Sequence, residues 1–212
     1  MVFAGTATAG SVAAVIVVFD LGNVLIPWDR RFLYEKLIPD PTELDHFLDH
    51  VLTLDVNARL DRGTTLPALV APLIDQHPEH QSLLEAFRDR WVETVKEPFP
   101  ETVALLRELV DAGRTCYALS NWGADTFAMV QHRYRFLDWF DGLVISGREG
   151  VVKPEPEILH RMCARYDFRP VDALFIDDSA ANIAAADRLG FATHLFTEPA
   201  LLRADLTARG LL

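Results

Sequence analysis

The sequence predicts an α/β protein: a three-layer, doubly wound parallel sheet carrying an inserted helical segment. Three observations lead there. Five short apolar, β-rich runs recur along the 212 residues, and most precede a helical pattern. The runs are nearly continuous in hydrophobicity rather than alternating, as strands covered on both faces require. Between the first and second runs lies a stretch of almost seventy residues with helical periodicity and no strand.

In order, the predicted strands are 14–19 (AVIVVF), 115–120 (TCYALS), 142–146 (GLVIS), 173–177 (ALFID) and 192–196 (ATHLF). Helical patterns at 101–112, 124–133, 155–166 and 179–189 fill the gaps after the first strand, with Gly113 and Gly190 as stop signals. Residues 29–96 read as helices at 30–37, 42–53, 66–76 and 80–94, punctuated by Pro39, Pro41, Pro67, Pro72 and Pro78. Glu97-Pro98-Phe99-Pro100 marks re-entry into the α/β pattern, since paired prolines disfavour helix there. The expected organisation is a core of residues 1–28 and 97–212 with a helical cap at 29–96. There is no internal repeat and no low-complexity tract.

Composition narrows the function classes. A net charge of −11 opposes an electrostatic grip on nucleic acid or anionic lipid. It still permits an anionic substrate, because one buried cation inverts a local field. Cys116 and Cys163 are too few for a disulfide framework or a cysteine zinc site, and a reducing cytoplasm is the expected setting. The apolar start carries no Lys or Arg before Asp20, unlike a secretory signal, and 12–19 is too short to span a bilayer. Residues 1–11 read as a loose leader.

Ligands of a parallel α/β sheet gather at the C-terminal ends of its strands. The first strand ends at Asp20, the second at Ser120-Asn121, and the fourth at Asp177-Asp178; Lys153, one of three lysines, follows the third. Singly, each has a plain reading as a cap or turn residue. Together they place carboxylates, a hydroxyl and an ammonium on one rim, which suits phosphoryl transfer through a carboxylate nucleophile. A carboxylate attacks phosphorus only where a cation offsets the repulsion. Asp20, Asp178 and Asp177 offer hard oxygens suited to Mg²⁺, and a carbonyl in the turn after Asp20 can add another. Ser120 with neighbouring amides, including that of Asn121, can bind phosphate oxygens, while Lys153 neutralises their charge.

The series Asp20-Leu21-Gly22-Asn23-Val24, Leu119-Ser120-Asn121, Val151-Val152-Lys153-Pro154-Glu155-Pro156 and Phe175-Ile176-Asp177-Asp178-Ser179-Ala180-Ala181-Asn182 resembles the haloacid dehalogenase superfamily. The branch most similar holds small-molecule phosphatases with a helical cap after the first strand, including sugar-phosphate phosphatases and the N-terminal domain of soluble epoxide hydrolase. The resemblance covers nearly the whole chain. It implies a Rossmann-like core and a Mg²⁺-dependent phosphomonoesterase of small phosphorylated metabolites. It further implies that Asp20 is the nucleophile and that Ser120, Asn121 and Lys153 bind phosphate. Asp20, the Gly22 carbonyl, Asp177 and Asp178 would hold the metal. Neither a nucleic-acid nor a membrane partner is expected.

One position departs from that pattern. Where the phosphatases usually carry a second Asp, two residues after the nucleophile, this chain has Gly22, which cannot shuttle a proton. A missing general acid typically costs ~10²–10⁴-fold in rate. Asp29 is a nearby candidate replacement, with a turn role as its alternative. Gly22 also suits a 2-haloacid dehalogenase, which needs neither metal nor acid, whereas Asp177-Asp178 disfavours a carboxylate substrate without a cation. A third reading is a catalytically weak relative that binds a phosphometabolite or a partner protein. Trp28, Asn57, Arg59, Asp61 and Arg62 are expected to line the cleft, the last four from a loop-like 57–63. Trp122 either lines the pocket or covers the sheet edge. His46 and His50, four apart, read as a solvated helix face.

Overall fold

A computed structural model describes residues 16–212. The leader at 1–11 and the first two residues of the first expected strand lie outside the described residues.

Among the described residues, five strands form one wholly parallel sheet: β1 (Ile16–Phe19), β2 (Cys116–Ser120), β3 (Gly142–Ile145), β4 (Ala173–Asp177) and β5 (Ala192–Leu195), in the order β3-β2-β1-β4-β5. Apolar residues at both strand parities explain why β1, β2 and β4 are central. Val17 and Phe19, Cys116 and Ala118, Leu174 and Ile176 face one buried apolar cluster. Val18, Tyr117, Leu119 and Phe175 face the other. The first cluster is closed by α6 (Pro100–Asp111) and α11 (Pro199–Ala208), through Leu105, Leu106, Leu109, Leu202 and Leu206. The second is closed by α9 (Pro156–Tyr166) and α10 (Ala180–Arg188), through Ile158, Leu159, Met162 and Ala186. Three layers result. β3 and β5, at the sheet edges, are the less covered strands.

Between β1 and α6 the chain forms α1 (Arg31–Tyr34), α2 (Pro41–His50), α3 (Leu54–Asp61), α4 (Leu66–Gln76) and α5 (Gln81–Arg90), ending in a 3₁₀ turn at Trp91–Thr94. The Asp40 side chain caps α2 by accepting from the amides of Thr42 and Glu43, with Pro41 in the first turn. α4 buries Leu66, Leu69, Val70 and Leu73, an i, i+3, i+4, i+7 stripe. Its first amide is capped from outside, where Leu66 N–H donates to Asp125 Oδ2 at 2.7 Å. Asp125 belongs to α7 (Ala124–Val130), which follows β2, as the short α8 (Ser146–Glu149) follows β3. Trp28 and Val95 pair as an antiparallel bridge where this helical segment leaves and rejoins the sheet. Its apolar residues continue the α6-side cluster rather than forming a separate one.

Two local expectations are corrected. Residues 57–63, expected as a loop, belong mostly to α3. Thr53 caps that helix by accepting from Val56 N–H, and Leu60 supplies its buried contact. The predicted helix at 80–94 is an α-helix only to Arg90, after which the backbone tightens and turns Trp91 inward. α11 had no counterpart among the predicted helices; Pro199 in its first turn and Leu202 and Leu206 on one face are its signals. His46 and His50 do sit exposed on α2, as expected.

Candidate active site

The chain order β1-β2-β3 runs one way across the sheet, and β4-β5 runs the other, so β1 and β4 flank the point of reversal where such sheets bind ligands. Register puts Phe19 opposite Ile176, and Asp20 N–H donates to Ile176 O at 2.8 Å. Asp20 and Asp177 are therefore neighbours because adjacent parallel strands end together. One oxygen from each of Asp20, Asp177 and Asp178 lies within 4.8 Å of the others.

Asp20 leaves β1 and enters a tight turn. Leu21 N–H donates to Asp20 Oδ1 at 2.7 Å, and the amides of Leu25 and Ile26 fold back onto Leu21 O. Asn23 takes φ = 54°, a left-handed conformation that asparagine tolerates, and its side-chain oxygen accepts from Trp28 N–H. Gly22 is needed for neither feature. Its φ is not positive, and a Cβ there would meet nothing within 4 Å.

Lys153 reaches the carboxylates from the loop after β3. Its Nζ donates to Asp177 Oδ2 at 2.7 Å and to Leu119 O at 2.9 Å, and it pairs with Asp20 Oδ1 at 2.9 Å. Burial pulls its pKa down, yet the charges of Asp177 and Asp20 and their hydrogen bonds outweigh burial and leave it raised. Burial also pushes Asp20 up to about 7; Lys153 opposes that shift and Asp177 adds to it. Asp178 is raised by burial and by Asp177, while Lys153 opposes.

The paired acids differ in their surroundings. Asp177 is wholly buried, and its Oδ1 accepts from Ser179 N–H and from Asn182 Nδ2 while Oδ2 faces Lys153. Asp178, one residue past the strand, is exposed. Asn121 exchanges two hydrogen bonds with the Lys153 main chain, donating to its carbonyl at 2.9 Å and accepting from its amide at 2.8 Å. Its side chain is thus committed to the lysine loop. Ser120 is buried at the end of β2, and its hydroxyl has no hydrogen-bond partner.

A chamber of about 70 Å³ opens beside these groups, lined by Gly22, Trp28, Asn57, Leu60, Asp61, Trp91, Asn121, Trp122 and Thr126. Of the expected lining residues, Trp28, Asn57 and Asp61 are there. Arg59 and Arg62 are exposed on α3 and at its end, and Arg62 instead pairs with Glu155 at 2.5 Å. Trp122 resolves toward the pocket. Burial pushes Asp61 up to about 6, against the pull of Lys153. Asp29 serves the turn role, accepting from Arg31 N–H. The walls meet closely: Ser146 Oγ donates to Asp61 O at 2.7 Å, and a Cβ on Gly147 would stand 2.4 Å from Ala124 N. Sequence reasoning gave no role to Asn182, Leu60, Trp91 or Thr126. Asn182, five residues after Asp177 in the first turn of α10, carried the clearest signal.

A haloacid dehalogenase-like hydrolase family model matches residues 15–190. The chain belongs to the haloacid dehalogenase-like hydrolases. It is 31% identical over 173 residues to the sesquiterpene phosphatase astK of Aspergillus oryzae, covering 82% of this chain and 85% of that protein. Its fold is similar to that of a haloacid dehalogenase family enzyme of Bacteroides thetaiotaomicron solved with magnesium and inorganic phosphate. The TM-score is 0.67 at 22% identity, over 86% of this chain and 93% of that one. It is also similar to L-2-haloacid dehalogenase of Xanthobacter autotrophicus, with a TM-score of 0.62 at 19% identity over 93% and 84% of the two chains. Proteins similar to this chain thus include a phosphatase and a dehalogenase, so fold alone does not discriminate between the two. No helix among the described residues is long and apolar enough to cross a membrane.

Proposed function

We propose that the protein is a Mg²⁺-dependent phosphomonoesterase of small phosphorylated metabolites. The gathering of Asp20, Asp177 and Asp178 at the ends of β1 and β4 carries this reading. Three carboxylates facing one ammonium leave an excess of negative charge, and a donor set made only of hard oxygens fits Mg²⁺. Asp20 and the exposed Asp178 would hold the ion directly, with the Gly22 carbonyl. Asp177, whose oxygens already face Asn182, Ser179 and Lys153, would serve the ion mainly by fixing Lys153. When bound, the cation supplies the charge that lets a carboxylate approach a phosphate.

Asp20 then attacks phosphorus. Both of its partners, Leu21 N–H and Lys153, meet Oδ1, which orients the carboxylate and leaves Oδ2 for the attack. The phosphorus–ester oxygen bond breaks as the Asp20 Oδ2–phosphorus bond forms, and the departing alkoxide takes its proton from water, since Gly22 offers none. Water hydrolyses the resulting aspartyl-phosphate, returning Asp20 and releasing phosphate. The Ser120 hydroxyl, buried without a partner, and the backbone N–H of Asn121 would take phosphate oxygens, with Lys153 balancing their charge. Residues 29–96 would act as a cap, a role supported by the Trp28–Val95 neck and by the α3 residues that wall the chamber. The phosphatase relative in Aspergillus oryzae and the magnesium–phosphate complex of the Bacteroides enzyme support this choice.

The test is phosphate release from an aryl phosphate with and without Mg²⁺, beside an Asp20→Asn control. Release that survives chelation or the substitution would overturn the assignment. The dehalogenase alternative, which Gly22 favours, predicts instead chloride release from a 2-haloacid in the presence of chelator.

A further inference from the structure

Asp61 is the only titratable side chain among the described residues that line the chamber, which it shares with Gly22. Contacts with the core fix its place. Ser146 Oγ, just past β3, donates to Asp61 O at 2.7 Å and accepts from Trp122 N–H at 3.0 Å. A Cβ on Gly63, two residues on, would stand 3.0 Å from Gly147 O, and Arg62 pairs with Glu155 in the lysine loop. The carboxyl oxygens of Asp61 accept no hydrogen bond from the described residues, yet both stay open to a water molecule. Lys153 is the one charge that acts on them; it pulls the pKa down, while burial pushes it up to about 6. Every other acid around the rim is engaged. Asp29 and Asp125 hold main-chain amides, Glu155 pairs with Arg62, and Asp177 is sealed against Lys153. Asp178 stands with Asp20 in the proposed metal set.

We propose that Asp61 does, from the helical segment, the proton work that Gly22 cannot do from the turn after β1, exchanging protons with water in the chamber. This rests on the phosphatase reading above and adds its acid and its base. The chamber has room for that water, at about 70 Å³ against the ~10–15 Å³ that one molecule needs. In the first step the ester P–O bond breaks and its electron pair stays on the alcohol oxygen. A chamber water protonates that oxygen and takes a proton from the Asp61 carboxyl, which becomes a carboxylate. In the second step a water attacks phosphorus and its surplus proton passes to Asp61. The bond to Asp20 Oδ2 breaks, its pair returns to Asp20, and Asp61 ends protonated as it began.

Leaving group separates the two steps. An aryl oxygen departs without a proton and an alkyl oxygen does not, whereas the attacking water needs a base in both cases. The experiment follows p-nitrophenyl phosphate and n-butyl phosphate with Mg²⁺ by rapid mixing, in the native protein and in Asp61→Asn. With the aryl ester, Asp61→Asn should release a burst of about one equivalent of nitrophenol at a near-native rate, then turn over about tenfold more slowly or worse as aspartyl-phosphate accumulates. With the butyl ester it should show no burst and lose about 10²-fold or more. Adding Gly22→Asp to Asp61→Asn should recover about tenfold or more of the butyl rate, a rescue that a purely structural role would not permit. Equal losses on both esters without a burst, no loss on either, or a double variant no faster than Asp61→Asn overturns the proposal. So does a native protein that hydrolyses the aryl ester alone, since a working acid must serve an alkyl oxygen. Phosphate release by the native protein reports on the catalytic reading separately. Release with an unaltered Asp61→Asn profile refutes the role of Asp61 alone; no release from either ester refutes both.

Discussion

The ammonium of Lys153 lies 2.7 Å from Asp177 Oδ2, and both side chains are sealed from solvent. With Asp20 on its other side, the lysine binds the ends of β1 and β4 into one electrostatic unit. Removing it leaves two buried carboxylates facing each other. Lys153→Met should lower stability by about 3–5 kcal/mol, the usual result of breaking a buried pair, and abolish turnover. Lys153→Arg should rescue neither, because a planar guanidinium cannot place donors on the three oxygens that Nζ meets. Chemical denaturation with activity assays checks both; an active, stable Arg variant would refute this view of the site.

The neighbouring acids should separate cleanly under substitution. Asp177→Asn removes the charge opposite Lys153 and disturbs acceptors for Ser179 and Asn182, so the melting temperature should fall. Asp178→Asn touches an exposed group and should leave melting nearly unchanged while raising the Mg²⁺ concentration needed for activity by about tenfold or more. Equal thermal losses for the two variants would contradict the division of labour.

Gly22→Asp tests the departure from the phosphatase pattern. A Cβ at this position meets no atom within 4 Å and the φ is not positive, so the fold has room for the added side chain. If proton donation to the leaving group limits the rate, kcat on an alkyl phosphate should rise about tenfold to a hundredfold. An aryl phosphate, whose leaving group departs without help, should gain little. Uniform acceleration of both substrates would argue against the acid role.

Asp61 gives a pH signature in stability. Its carboxyl titrates at about 6 in the fold against an ordinary 3.8, so the folded state holds an extra proton between those values. Stability therefore falls as pH rises through that window, and the penalty stands in full above it. Asp61→Asn should raise the melting temperature at pH 7.5 and leave it unchanged near pH 4. The group is half-buried and partly screened, so the gain should be about 1 kcal/mol, or roughly 2–4 °C. A gain of the same size at both pH values would exclude the ionisation as its cause.

The strands and the reactive rim were legible in the sequence because their signals are local. Val17, Val18 and Phe19 announce a strand covered on both faces, and Asp20 announces its end. Asp177 and Asp178 read alike in sequence, and only packing separates a sealed lysine partner from an exposed carboxylate. Asn121 reads as a phosphate binder, and the sequence did not reveal that its side-chain amide serves Lys153, in a loop thirty-two residues away. The chamber was least legible. α3 looked like a loop because Asn57, Arg59, Asp61 and Arg62 crowd out its apolar spacing, leaving Val56 and Leu60 to carry it. Trp91 had the phase of α5 until the 3₁₀ turn altered it, and no short window contains that information.

The reciprocal bonds between Asn121 and Lys153 have a practical consequence for building chimaeras in this family. The lysine loop is held in place by the loop after β2 through both ends of one amide. A donor segment spanning only 146–156 would arrive without its anchor. Grafts should carry the two loops as one inherited module, and recombination breakpoints between positions 121 and 153 should yield folded but inert hybrids.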